Sequence, residues 1–193
     1  MLKNLLLTFL LTFVFSGCFS FSSLNPFSDE GETKKVVKPT KIPDDAPKWV
    51  KEVKEENSIS IVAYSYIKNA EVKEFDKKRT LLIASNKLSK KIYIKTIEFY
   101  KEYEQKLDNP MTFDQDLKTI AEQISLKAVS KSIIKNSWLS KDNRLFVKLS
   151  ADSDFVATLI QNESKNIYKV DKTLYKNILS NRAKTLLIEY LEK

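Results

Sequence analysis

The sequence predicts an α+β fold: a small, mainly antiparallel sheet with helices packed on it, plus a C-terminal helix. Three observations predict it. Ser58–Ile67 (SISIVAYSYI) gathers β-branched and aromatic residues into one short run, the composition of a buried strand. Leu117, Ile120, Ala121, Ile124 and Ala128 recur at the helical period. Between residues 132 and 150 two strand-like runs flank Asp142-Asn143, a pair suited to a hairpin turn. Strands and helices mixed without a regular β-α-β alternation point to an antiparallel sheet with helices on it.

The elements follow in chain order. Residues 1–17 (MLKNLLLTFLLTFVFSG) have a basic start at Lys3, an apolar run Leu5–Phe15, and the small residues Ser16 and Gly17. That is the layout of a signal peptide. The run of 11 residues falls short of the roughly 20 that a bilayer-spanning helix needs. Phe15-Ser16-Gly17-Cys18 resembles the bacterial lipobox, where the leader is cut off before a cysteine that receives acyl chains. Phe15 is a departure, since most lipoboxes have Leu, Val or Ile there. Cys18 is the sole cysteine, so a disulfide within the chain is impossible and lipidation is its expected role. Each buried acyl CH₂ contributes about 0.8 kcal/mol, and more than one chain makes attachment stable. The expected location is the outer membrane, on its periplasmic or exposed side, because Phe19 and not Asp follows Cys18.

Residues 18–47 read as a lipidated tether. They hold four of the five prolines (Pro26, Pro39, Pro43, Pro47) with Gly31 and several Ser, Asp and Lys, and no sustained amphipathic period. A flexible segment of this length spans ~30 Å on average. Residues 48–193 are expected to form one globular domain.

Within it, the strand Ser58–Ile67 comes first. A helix over Lys73–Lys91 follows, with Leu81, Ala84, Leu88 and Ile92 on one face. Tyr93–Tyr103 (YIKTIEFYKEY) has strand composition, and Asp108-Asn109-Pro110 reads as a turn. A second helix covers Asp114–Lys131, capped by Asp114 or Thr112. Ser132–Leu139 and Arg144–Ser150 form the hairpin. Leu145, Val147 and Leu149 alternate with Phe146 and Lys148, as in a half-buried strand. Asn143 takes the turn position where a positive φ is needed. Asp152 or Ser153 caps a helix carrying Phe155, Val156, Leu159 and Ile160. Asp171 is expected to cap the last helix, which ends near Lys193 and carries Ile178, Ala183, Leu186, Leu187 and Leu191.

Absences narrow the chemistry. The sequence has no histidine and two glycines, Gly17 and Gly31, both ahead of the expected domain. A His-based triad and a zinc site built on His or several Cys are therefore excluded. A Gly-rich phosphate loop or dinucleotide fingerprint is excluded too. Glu71, Glu74, Glu98, Glu102, Glu104, Asp114, Asp116 and Glu122 are acid/base candidates by type, but all sit in polar stretches. Ser130 beside Lys131 is a Ser/Lys match of little specificity. Trp49, Tyr64 and Trp138 suit ligand stacking, though large aromatics on strands are more often core. The net charge of +8 reads as a Lys-rich solvated surface. No Lys/Arg block exceeds three residues, so no nucleic-acid-binding arm is evident. No catalytic residue, cofactor, metal or small-molecule substrate is expected.

Pro47-Lys48-Trp49-Val50, the strand Ile59–Tyr66, the following helix with Ala84, and the hairpin from Trp138 to Leu149 resemble the LPP-twenty family of bacterial outer-membrane lipoproteins, which includes a flagellar lipoprotein. The resemblance covers residues 46–152. The family has a Gly after the first strand and another in the late turn. Here Ala63, Tyr64 and Ser65 occupy the first region and Asn143 the second. The resemblance implies a non-enzymatic envelope protein, a structural or interaction module held to the outer membrane by acyl chains on Cys18, with a protein partner or self-association. Membership further implies a surface antigen or an association with the flagellum. The alternative is a lipoprotein activator of a peptidoglycan-synthesis enzyme, for which the tether is short. A domain complete by Asp152 leaves the C-terminal helix to dock on the domain edge.

Overall fold

The computed structural model describes residues 41–68, 71–104, 114–168 and 176–193. All of these belong to one unit, Gly31–Lys193. The elements are α1 (Lys48–Lys51), β1 (Ser58–Tyr66), α2 (Glu74–Glu104), α3 (Asp114–Ser130), β2 (Ile133–Leu139), β3 (Arg144–Asp152), α4 (Ser153–Ile167) and α5 (Asn181–Glu192). The three strands make one antiparallel sheet in the order β1-β3-β2. This is the α+β architecture that the sequence predicts.

Local chemistry places the turns. A domain without glycine must use another residue where φ is positive, and asparagine tolerates that region best. Asn57, just before β1, has φ 58°, and Asn143, in the β2–β3 turn, has φ 60°. The hairpin turn is closed by the Asn143 N–H, which donates to the Ser140 carbonyl at 3.1 Å. At the other end of β3, Asp152 caps α4 by accepting from the Phe155 N–H at 2.7 Å.

The sheet's inner face carries Ile59, Ala63, Leu149 and Ala151, all buried. The pairs Ile59–Ala151, Ile61–Leu149 and Ala63–Val147 set them side by side. Ala84, Leu88 and Ile92 of α2 and Ile124 and Ala128 of α3 join them in one core cluster. Small residues let α2 approach the sheet closely. The Ser65 and Thr80 hydroxyls meet there at 2.6 Å and satisfy each other.

Three expectations are corrected. Tyr93–Tyr103 is not a strand; α2 runs unbroken to Glu104. Its buried positions Leu88, Ile92, Thr96, Phe99 and Tyr100 keep the helical spacing. Thr96 hides this in the sequence, yet it is fully buried, and its hydroxyl donates to the Ile92 carbonyl one turn back at 2.8 Å. The C-terminal helix is interrupted: residues 176–178 are helical, residues 179–180 break the run, and α5 begins at Asn181 with Ser180 as its cap, accepting from the Ala183 N–H. Nor is it an addition at the domain edge. Leu187 and Leu191 lie in the same core cluster as Leu88 and Ile160. The Lys95 ammonium donates to the Tyr190 carbonyl at 2.9 Å, in the helix's last turn, where a cation also meets the negative end of the helix dipole. Asp171 itself, the Asp108-Asn109-Pro110 turn and Thr112 lie outside the described residues.

Candidate functional site

The two edges of the sheet are finished differently, and the site follows from this. The inner surface is covered by α2, which packs on β1 and β3. β1 is one edge strand. Two of its outward carbonyls are met by cations from α2: Lys91 donates to the Ser60 carbonyl at 3.2 Å, and Arg79 donates to the Tyr66 carbonyl. Burial holds the Lys91 ammonium below its ordinary pKa, aided by the nearby Lys95.

β2 is the other edge, and it is bare over most of its length. Ile133, Ile134, Lys135, Asn136 and Ser137 are all exposed, and only Trp138 and Leu139 are partly covered. Ile133 and Ile134 are 55% and 54% exposed, high for side chains on a strand. A register shift between Ile134 and Asn136 places a bulge at Lys135. Where α2 leaves β2 uncovered, an open groove of about 450 Å³ remains. Its floor is Ile134, Leu139, Leu145 and Val147 from the hairpin, and its wall is Val72 and Leu81. Glu74, Lys77 and Lys78 also line it, and Lys77 pairs with Glu74 at 2.7 Å.

The sheet's outer face is covered by the segment ahead of β1. Ala46 and Val50 are buried against Phe146, with Trp49, Val62, Tyr64 and Trp138 packed around them. Residues 41–47, read from the sequence as the end of a tether, therefore lie on the sheet. Arg144 fastens them. Its guanidinium is almost fully buried, sits 5.2 Å and 5.3 Å from the Tyr64 and Phe146 ring centres, and donates to the Lys41 carbonyl at 3.1 Å. Asp142 completes the charge at 2.6 Å. That bond, with one from the Ser140 hydroxyl, holds the Asp142 carboxyl below its usual pKa. Further along this face, the Ser60 and Ser150 hydroxyls meet at 2.7 Å, and Lys148 pairs with Glu55 at 3.1 Å. β3 is thus buried on both faces rather than half-buried as its alternation predicts.

The candidate residues fall as follows. Trp49, Tyr64 and Trp138 come together as a packed second cluster. Glu71 and Glu74 lie at the start of α2, Glu98 and Glu102 near its end, and Asp116 and Glu122 on α3; these three pairs belong to different regions. Glu98 accepts from the Tyr190 hydroxyl at 2.9 Å. Burial first, and then Glu98, push that phenol upward. The Ser130 hydroxyl donates to the Lys127 carbonyl at 2.8 Å, a local helix-end bond that does nothing to activate it. Cys18 and the side chains of Glu104 and Asp114 lie outside the described residues. Among the described residues no group of three or more Asp, Glu, His or Cys is placed to hold a metal ion, and no helix is long and apolar enough to cross a membrane. The groove beside β2 was missed in the sequence. The signal was there in Ile133-Ile134, two apolar residues in succession on a strand, so that one must face outward whichever face is buried. No family model matches the chain, and no curated protein matches it.

Proposed function

We propose that the protein is a lipid-anchored cell-envelope protein that works by binding another macromolecule rather than by catalysis. The observation that carries the binding half is the uneven finish of the sheet. Exposed Ile133 and Ile134 and an apolar groove lie along a bare edge strand, while the opposite edge is capped by Arg79 and Lys91. Exposed apolar surface beside unpaired strand backbone is a recognised mode of protein recognition. The groove's residues are largely aliphatic and do not converge polar groups on a point, as a small-molecule site would. The anchor half rests on the leader and on Cys18 following Phe15-Ser16-Gly17.

The reading also places the chain beside the LPP-twenty lipoproteins in the outer membrane. Support comes from the α+β fold and from Asn143, whose φ of 60° lets it stand where that family carries glycine. Association with the flagellum or a surface-antigen role belongs to this same proposal.

The test is to grow cells expressing the chain, or Cys18→Ser, with a clickable fatty acid, and then to fractionate the envelope. The wild-type chain is expected to carry label and to partition with the outer membrane, and Cys18→Ser to lose both. Label retained by Cys18→Ser, or absent from wild type, contradicts the anchor.

A further inference from the structure

We infer that the free edge of β2 and the groove beside it take an extended, acidic segment of a partner protein, which adds to the sheet as a fourth strand. This deepens the binding reading above and depends on it, but not on acylation of Cys18.

Three observations fix the kind of occupant. The first is backbone. An edge strand presents every second N–H and C=O outward, and only another strand satisfies them in a row. On β1 two such carbonyls are taken by Lys91 and Arg79. On β2, among the described residues, no side chain donates to a carbonyl of residues 133–139, and the strand's backbone partners lie on β3. The second is shape. The groove runs along the inner side of β2, so alternate side chains of an added strand drop onto Ile134, Leu139 and Val147. β2 has seven residues, which suits a segment of about six to eight.

The third is charge. Glu74, the one carboxylate among the described residues lining the groove, is already held by Lys77, which leaves Lys78 beside it. Lys131 stands exposed before β2, while Lys141 after it pairs with Asp45 at 3.5 Å. Lys135, on the strand, shares Glu55 with Lys148. A second copy of this chain would set these lysines against themselves, and like charges across a strand pair are destabilising. An acidic segment gains most from Lys78 and Lys131, which no described carboxylate pairs.

The probe is a fluorescein-labelled synthetic peptide with alternating Val and Thr flanked by two Glu at each end, titrated with the purified chain and followed by anisotropy. Three controls are a Lys-flanked version, a version with alternate backbone nitrogens methylated, and competition by phosphatidylglycerol vesicles. Saturable binding of the acidic peptide is expected, weakened about tenfold or more, ~1.4 kcal/mol, by Ile134→Glu and by Lys78→Glu. Salt should weaken it too. Both substitutions are at exposed positions, so the melting temperature checks that folding is intact. The methylated peptide is expected not to bind. Failure of the acidic peptide to bind, equal binding of the Lys-flanked peptide, or indifference to methylation overturns the inference. Displacement by vesicles assigns the face to a lipid surface instead, and a dimer that Ile134→Lys dissolves assigns it to a second copy; either result also overturns it. A positive Cys18 label alongside any of these keeps the anchor and removes only the strand-addition proposal.

Discussion

β1 and β2 are both edge strands of one small sheet, paired to the same central strand, yet they meet solvent in opposite ways. β1 lies under α2, touches α4 and α5, and has two outward carbonyls taken by Lys91 and Arg79. β2 pairs with β3, packs Trp138 on the outer-face cluster, and shows Ile133 and Ile134 to water. Covering an edge with long cations is a common defence against unwanted strand pairing. Where one edge has that defence and the other has apolar side chains beside a groove, the bare edge is the informative one. A sheet that needed only to be stable would gain by closing both.

The comparison breaks most readily at its closed side. Leu187 and Leu186 are neighbours on α5, but Leu187 is 1% exposed and Leu186 54%. Leu187→Ala is expected to lower stability by about 2–5 kcal/mol through a cavity in the shared core. Leu186→Ala should change it by no more than about 0.5 kcal/mol. Denaturant titration of both separates them. Equal effects would mean that α5 does not brace the domain as described.

A smaller effect tests the cap itself. Lys91→Met keeps the aliphatic stem and removes the donor to Ser60, at an expected cost of about 0.5–1.5 kcal/mol. Part of that is offset because the ammonium no longer has to be desolvated. Ile134→Lys on the bare edge should cost less than about 0.5 kcal/mol. If Ile134→Lys proves the more damaging of the two, the edges have been assigned the wrong way round.

Much of this was legible in advance, and the misses have physical causes. β1, α3, the hairpin and the Asp152 cap each announce themselves locally, by β-branched composition, a clean apolar stripe, or a side chain that can only bond its own turn. The end of α2 does not, because YIKTIEFY has the residue types of a strand, and buried Thr96 breaks the apolar count at the position that decides the period. Lys148 and Arg144 made β3 look half-buried. Their heads are instead ion-paired with Glu55 and Asp142 and buried with the rest of the strand. The groove is tertiary in the same way. Ile133-Ile134 signals an apolar residue facing outward, but the groove itself exists only because α2 covers β1 and β3 and leaves β2 bare, which no local pattern encodes.

The smallest expected effect is one of pH. The Asp142 carboxyl is held below the ordinary aspartate value of 3.8 by Arg144 and Ser140. Its stabilising share is therefore full above that value and is lost as pH falls through the depressed one. Asp142 is half-exposed, so the share is below about 1 kcal/mol. Acid titration followed by Trp fluorescence should show Asp142→Asn less stable at neutral pH and flatter below pH 4 than wild type, with unfolding by urea as the measure. An identical acid limb in both proteins would remove Asp142 from the fastening of residues 41–47.

The most direct test of the edge comparison is backbone amide hydrogen exchange, read residue by residue, with and without the Glu-flanked peptide. In the chain alone, the outward amides of Ile133–Leu139 are expected to exchange fast while those paired to β3 are protected. On adding peptide, the outward β2 amides should become protected, and β1 should stay as it was. Outward β2 amides already protected in the free chain, or protection gained on β1 instead, would contradict the account.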